Sequence, residues 1–311
     1  METAAWKFQG TVLSMTDKQL LVVDGTNLLY RSYHALASSG LEHAGRPIWA
    51  VHGLLNQLSK MLEKGNYTHM VVAFDSKGGC SYRKNLYPSY KANRPEAVDA
   101  ITYQLEWAPR ILRTCGISAI GIEDWEADDI IASCVETGER EGYTCTVFSS
   151  DKDCIQLVSD TCVMKTPDDK HYDTASVESI FGCTPLGYRT IAALRGEPGD
   201  NLPGVKGIGS VTATKLANHF ATFEDIFNAD DTALRKVVSE KIILALRADR
   251  EQASLTYKVA KLNRDLVVDV SLGKLQIIDR AHLKNTLSTV GLPSAGNRLY
   301  KALEPVSKSP F

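Results

Sequence analysis

Several short apolar runs in this chain end on acids. The run LLVVD ends at Asp24, MVVAFD at Asp75, and TCTVFSSDKD at Asp151 and Asp153. Such runs read as strands, and in an open parallel α/β sheet ligands bind beyond the carboxyl ends of the strands. If these strands share one sheet, their acids collect on one rim. A further group, EADD, opens a helix and adds Glu126, Asp128 and Asp129, and RGEPGDNLPG adds Glu197 and Asp200. Nine carboxylates on one rim could not stay ionised together without cations, because like charges raise each other's pKa. Hard oxygen ligands without a matching His or Cys cluster point to Mg²⁺ or Mn²⁺, two or more in one site.

The first two-thirds of the chain alternates strand and helix signals, as expected of an α/β protein with a mostly parallel sheet. Strand 20–24 leads into a helix through about Ala37, and an apolar-periodic helix runs from near Ile48 to Lys64. Strand 70–74 follows. Residues 76–95 are basic, aromatic and rich in Gly and Pro, and read as a loop or a conditional helix. A helix over 97–114 carries a kink at Pro109. Strands 118–122, 145–149 and 161–165 and the EADDIIASCVETGER helix complete the alternation. After about residue 174 the pattern turns helical. Thr184-Pro185 caps a helix ending near Arg195-Gly196. A Gly-rich hairpin spans Gly204 to Gly209, short helices are expected at 223–227 and 233–238, and one long helix from Glu240 to about Leu262. The tail beyond Leu266 has little pattern, and the first 18 residues read as an extension.

The net charge of −2 at first argues against a polyanionic ligand, but its distribution matters more. Setting the nine acids aside moves the charge from −2 to +7, a basic body around a neutralised centre. Residues 76–95 hold Lys77, Arg83, Lys84, Lys91 and Arg94 and no acid. The seven cysteines form no CxxC pair and read as buried free thiols. No apolar run approaches the roughly 20 residues of a membrane helix.

Each motif has a plain structural reading beside the chemical one. Single acids such as Asp24 or Asp75 serve equally well as caps after a strand. In EADD, Glu126 and Asp129 share a helix face and Asp128 points sideways; three acids in four residues favour ligation over a dipole-stabilising helix start. The glycines of GVKGIGS let backbone N–H groups approach a phosphate, with Lys206 and Lys215 adding charge, although a tight turn between helices explains them as well. The stretch YRKNLYPSYKANR alternates cations with Tyr82, Tyr87 and Tyr90, a combination suited to unpaired strands but also to a solvated loop. Neither a dinucleotide fingerprint nor a GKS/GKT loop is present.

Taken together, LLVVDGTNLLYRSYHA, VVAFDSKGGCSYRKNLYPSYKANRP, EADDIIA, SSDKDCIQLV and GDNLPGVKGIG resemble the 5′ nuclease family. That family includes the 5′ nuclease domain of bacterial DNA polymerase I, phage 5′ exonucleases and flap endonucleases. The resemblance runs from about Leu20 to His219 and more weakly to about 270, and is to the stand-alone form. It implies a PIN-like nuclease core over 19–175 with a helical arch at about 77–110. It also implies a helical region over 176–265 with a helix–hairpin–helix at about 196–220, and a C-terminal segment over 266–311. By motif, Asp24, Asp75, Glu126 and Asp128 would build a first metal site. Asp151, Asp153 and Asp200 would build a second, with Asp129 and Glu197 nearby; the family usually has Asp where Glu197 stands. Lys91 and Arg94 would engage the scissile phosphate, and Tyr30 would stack near the reacting nucleotide. Arg31, Arg83, Lys84 and Tyr90, with Gly204, Lys206, Gly207, Gly209 and Lys215 of the hairpin, would contact DNA, and K⁺ could sit at the hairpin.

The expected function is therefore structure-specific 5′ nuclease action on flap, nicked or gapped DNA, extending to RNA at primer 5′ ends. The protein is expected to be a monomer with no membrane partner, in the cytoplasm of a bacterium or a phage-infected host. A toxin-type α/β ribonuclease is disfavoured by the arch and hairpin motifs. A non-catalytic junction-binding protein on the same fold is the competing reading, and it turns on whether Glu197 can replace an Asp.

Overall fold

Leu20 and Val22 face one side of a sheet and Leu21 and Val23 the other, and all four are fully buried. A strand apolar on both faces must be covered on both, which selects a parallel sheet between helical layers. The computed structural model describes residues 18–276 and 279–304. The expected N-terminal extension lies outside them except for Lys18.

The elements in chain order begin with strand β1 (Gln19–Asp24), helix α1 (Gly25–Leu36), a small hairpin β2 (Glu42–His43) and β3 (Arg46–Pro47), helix α2 (Trp49–Lys64) and strand β4 (His69–Ala73). Next come α3 (Ser81–Leu86), α4 (Asp99–Thr114), β5 (Ser118–Ile120), α5 (Ala127–Arg140), β6 (Thr144–Phe148), β7 (Cys162–Lys165) and β8 (His171–Tyr172). The helical part holds α6 (Thr174–Phe181), α7 (Pro185–Arg195), α8 (Ser210–His219), α9 (Phe223–Asn228), α10 (Asp231–Arg235), α11 (Glu240–Ala248) and α12 (Arg250–Val259). Helices α13 (Arg280–Thr289) and α14 (Pro293–Leu303) close the chain.

The main sheet has the order β5-β4-β1-β6-β7-β8. Its pairs are parallel except for β8 on β7. The chain runs outward from β1 through β4 to β5, then returns to place β6 on the other side of β1. That reversal opens a crevice at the carboxyl end of β1, where ligand sites form in such sheets. Helix α5 and the helical part cover one face, and α1, α2 and α4 cover the other.

Thr184 caps α7 by accepting from the Gly187 N–H, as its sequence predicts. Burial leaves all seven cysteines as free thiols and raises Cys115, Cys134 and Cys145 to about 12. Among the described residues no helix is long and apolar enough to cross a membrane.

Two expectations need correction. The single helix expected from Glu240 to Leu262 is broken at Asp249, which ends α11 and starts α12. The break lets the Asp249 carboxylate accept the Lys206 N–H at 2.8 Å, fastening the hairpin. The patternless tail is also structured over its described residues, 267–276 and 279–304. A turn at Val270–Gly273 lies against β4, and the Leu275 N–H donates to the Thr68 carbonyl at 2.9 Å. Leu283 and Leu287 of α13, Leu292 just before α14 and Leu299 of α14 then join the core of Leu54, Leu55 and Leu58 on α2. Each such leucine contributes about 1.5–3 kcal/mol on burial. The tail's pattern was weak because its partners lie more than two hundred residues earlier.

Candidate active site

Asp24 ends β1 and caps α1. One carboxylate oxygen accepts the Asn27 N–H at 2.9 Å, and the other accepts the buried Ser149 hydroxyl at 2.7 Å. Asp75, just after β4, accepts the Ala127 N–H at 2.7 Å at the start of α5, while its own N–H donates to the Thr26 hydroxyl. Asp151 opens the turn after β6 by accepting the Asp153 N–H at 3.0 Å. Three strand ends therefore hold their acids through backbone caps. Capping and clustering are one arrangement here, not alternatives.

These acids repel one another across the crevice. Burial, opposed by the Ser149 and Asn27 hydrogen bonds but aided by Asp75 and Asp151, raises Asp24 to about 7. Burial and the charges of Asp151 and Asp24 hold Asp128 well above the usual carboxylate range; burial, Glu197 and Asp151 do the same to Asp153. Burial and Asp200 also raise Glu197. Carboxylate oxygens of Asp153, Glu197 and Asp200 lie within 4.8 Å of one another. Half-buried carboxylate oxygens that converge at this spacing fit a hard divalent cation. Glu197 takes its place in the cluster, 3.5 Å from Arg195.

The EADD segment divides in two, and not as its spacing predicts. Asp128 faces the other acids, with the Cys154 thiol 3.8 Å away. Asp129 faces the opposite way, fully buried, and the Arg83 guanidinium grips it with bonds of 2.5 and 2.9 Å. Its Oδ1 also accepts the Asn263 N–H. Fully buried and charge-paired with the Arg83 guanidinium, Asp129 is not placed to hold a metal, which corrects that assignment. Arg83 is likewise corrected as a DNA contact. It is 3% exposed and donates further to Glu126, to the Val259 carbonyl and to the Lys261 carbonyl, locking α3 and α5 to the end of α12.

Glu126 is shared by Arg83 at 3.0 Å, the Tyr90 hydroxyl at 3.0 Å and Lys91 Nζ at 2.6 Å. Burial pushes its pKa up, but Lys91 and Arg83 outweigh that and the net shift is downward. Tyr90, expected at the DNA, is buried and bridges Glu126 to Asp200. Lys91 holds a left-handed conformation with φ 56°, and its N–H donates to the Asp200 carbonyl. Arg94 reaches the Asp200 carboxylate at 2.5 Å. Segment 87–94 is thus strapped to loop 198–201, with Asn93 on the Pro198 carbonyl and Asn201 on the Ser89 carbonyl. Tyr30 is half-buried on α1, its pKa raised by burial and by Asp75. Arg31 and Lys84 are exposed, and Lys84 Nζ donates to the Gly78 carbonyl.

Beyond the loop, the hairpin leads into α8. Lys206, Gly207, Gly209 and Lys215 are exposed, and Gly207 turns the chain at φ 83°. Gly204 has a different task. A Cβ there would lie 2.3 Å from the Arg195 carbonyl carbon, so this glycine serves chain-to-chain approach and not a phosphate contact. Sequence reasoning missed Ser149, Asn27 and Thr26, the polar residues that orient the acids. The only signal was their place next to Asp24 and Asp151 in DGTN and SSD.

Residues 19–182 match the family model described as 5′-3′ exonuclease, N-terminal resolvase-like domain, and residues 183–282 match that described as 5′-3′ exonuclease, C-terminal SAM fold. A 5′-3′ exonuclease of Aquifex aeolicus is 30% identical over 294 residues, covering 94% of this chain and 98% of that protein. The thermostable DNA polymerase I of Thermus thermophilus is 31% identical over 94% of this chain, and the match spans only 35% of the polymerase. Among solved structures, a bacteriophage T5 protein co-crystallised with metal ions superposes with TM-score 0.64 at 20% identity, covering 94% of this chain and all of that one. The catalytic core of Rad2 in complex with DNA substrate gives 0.58 at 17% identity, over 94% and 93%. On the two matched models and the full-length Aquifex relative, the chain belongs to the 5′-3′ exonuclease family.

Proposed function

We propose that this protein hydrolyses DNA phosphodiesters at single-strand/duplex junctions, as a 5′-3′ exonuclease and 5′-flap endonuclease, leaving a 5′-phosphate and a 3′-hydroxyl. The observation that carries the reading is the convergence of acids from separate chain segments on one crevice, faced by Lys91 and Arg94. Asp153, Glu197 and Asp200 would hold one divalent ion, and Asp24, Asp75, Asp128 and Asp151 would share in a second, with Mg²⁺ or Mn²⁺ the fitting choices. Bound there, such ions lower the pKa of an attacking water and stabilise the leaving oxygen.

The chain's own groups do the rest. Lys91 and Arg94 are paired with Glu126 and Asp200, and a phosphate entering the crevice offers them an equivalent anionic partner. Tyr30, half-buried beside Asp75, offers a ring to the terminal base. Lys206 and Lys215, with the open backbone around Gly207 and Gly209, suit duplex phosphates, where recognition is of shape rather than sequence. K⁺ at the hairpin, RNA at primer 5′ ends, a monomeric state and a cytoplasmic location in a bacterial or phage-infected cell belong to the same reading. Structural relatives support it. A T5 flap endonuclease was crystallised with DNA and metal ions, and Rad2 with DNA substrate. Non-catalytic binding is disfavoured because Glu197 keeps its carboxylate beside Asp153 and Asp200.

The test is incubation of end-labelled 5′-flap, nicked and blunt DNA with Mg²⁺ or with EDTA, followed by product mapping. Cleavage at the junction in Mg²⁺ alone is expected. Equal cleavage in excess EDTA, or none in Mg²⁺ and Mn²⁺, overturns the proposal.

A further inference from the structure

A depression of about 260 Å³ lies away from the acids, between α7, α9 and α12. Its floor is a stack of three flat groups. Tyr257 lies parallel to Phe223, with centroids 4.1 Å apart and planes 6° apart. The Arg189 guanidinium lies 3.8 Å from the Tyr257 centroid, on the ring's other face. Arg250, Lys258 and Lys261 line the walls, and Glu224 is the one acid among the lining residues. None of the four cations is ion-paired with a carboxylate among the described residues; Arg250 donates to the Asn228 side-chain carbonyl at 2.9 Å. Four cations against a single acid, grouped around a flat, half-buried guanidinium, suit a ligand that is both aromatic and anionic. Guanidinium planes stack on bases, and lysines take phosphates.

The depression and the proposed cutting site are lined by one stretch of chain. Lys258 and Lys261 line it, while Val259, Ala260 and Leu262, from the same turn of chain, line the acidic crevice. Its volume admits one base with its phosphate and not a duplex, just under the range of about 300–1,000 Å³ for small-molecule pockets. On the footing of the nuclease reading above, we infer that this depression holds one unpaired nucleotide of the DNA strand that passes the crevice. The base lies on the Arg189–Tyr257–Phe223 stack, and the phosphate lies among Arg250, Lys258 and Lys261.

The test uses the full chain in EDTA and compares, by fluorescence anisotropy, a duplex carrying a single-stranded arm with the same duplex lacking it. Arg189→Ala and Lys258→Glu are expected to weaken binding of the armed duplex about tenfold, the scale of one base stack, and to leave the armless duplex within about twofold. Equal losses on both duplexes, or no loss on either, overturn the inference. Lys258→Glu changes an exposed side chain outside the ring stack and keeps the test open if Arg189→Ala unfolds. Thymidine 5′-monophosphate is added as a separate ligand. If it binds wild type and is lost in Arg189→Ala while arm binding does not move, the occupant is a free nucleotide and the strand assignment is wrong. Cleavage of the armless nicked duplex in Mg²⁺ is followed in parallel. Its absence in wild type sinks the nuclease reading, whereas its persistence with no arm effect sinks only the pocket.

Discussion

Asp128 and Asp129 are chain neighbours with opposite surroundings. Asp128 looks into a crevice of mutually repelling acids, where Asp151, Asp24 and Asp153 oppose its ionisation. Asp129 sits in a closed fork, where Arg83 and the Asn263 N–H satisfy both oxygens. The first region is electrostatically incomplete and the second complete. An incomplete region has capacity for a ligand; a complete one has none to offer and instead holds α3, α5 and α12 together. Identical side chains thus divide into chemistry and scaffold according to whether the fold supplies their counter-charge.

The largest expected effect tests the crevice. Asp153→Asn should lower the cleavage rate by more than about a thousandfold while leaving junction affinity nearly unchanged, since electrostatic groups aimed at the reacting centre carry that much. Undiminished turnover would remove Asp153 from the mechanism. Lys91→Ala should reduce the single-turnover rate on bound substrate about a hundredfold; a change confined to the dissociation constant would make Lys91 a docking contact.

The fork is tested by stability. Asp129→Asn leaves the buried Arg83 guanidinium with only Glu126, itself shared with Lys91 and Tyr90, as counter-charge and should cost about 3 kcal/mol in urea unfolding. Asp128→Asn, measured without divalent ions, should cost nothing or stabilise, because it removes repulsion. Equal losses would erase the distinction between the two regions. The smallest effect is a pH dependence. Asp24 has its pKa raised from 3.8 to about 7 on folding, so the folded state holds a proton that the unfolded state has released between those values. Stability without metal should therefore fall as pH rises from about 4 through 7. Added Mg²⁺ should raise the Tm more at pH 8 than at pH 5.5; equal gains would mean that the acids do not share the ion.

Much of this was legible in the residues. The strands, the sheet class and the acids at their ends followed from short apolar runs stopping at Asp, because strand burial and rim position are local consequences of pattern. The roles of Arg83, Asp129 and Tyr90 were not legible. A basic residue in a basic, aromatic stretch looks like a nucleic-acid contact unless its buried partner is known, and Asp129 and Val259 lie 46 and 176 residues away. The break at Asp249 was hidden for the same reason: the partner its carboxylate meets, the Lys206 N–H, is 43 residues distant. Helix propensity cannot register such a partner.

The contact between Gly204 and the Arg195–Gly196 backbone has a consequence for where a nuclease built this way would cut. Paired bonds between Glu197 and Leu202, and from the Val205 N–H to the Leu194 carbonyl, close the loop carrying Glu197 and Asp200 directly onto the base of the hairpin. On the proposed nuclease reading, the hairpin that would hold the duplex and the loop that would hold the metal are two ends of one stiff ruler. The spacing between a duplex held there and the bond cut would then be set by the protein's own backbone rather than by the length of any DNA arm, and a side chain at residue 204 would disturb it.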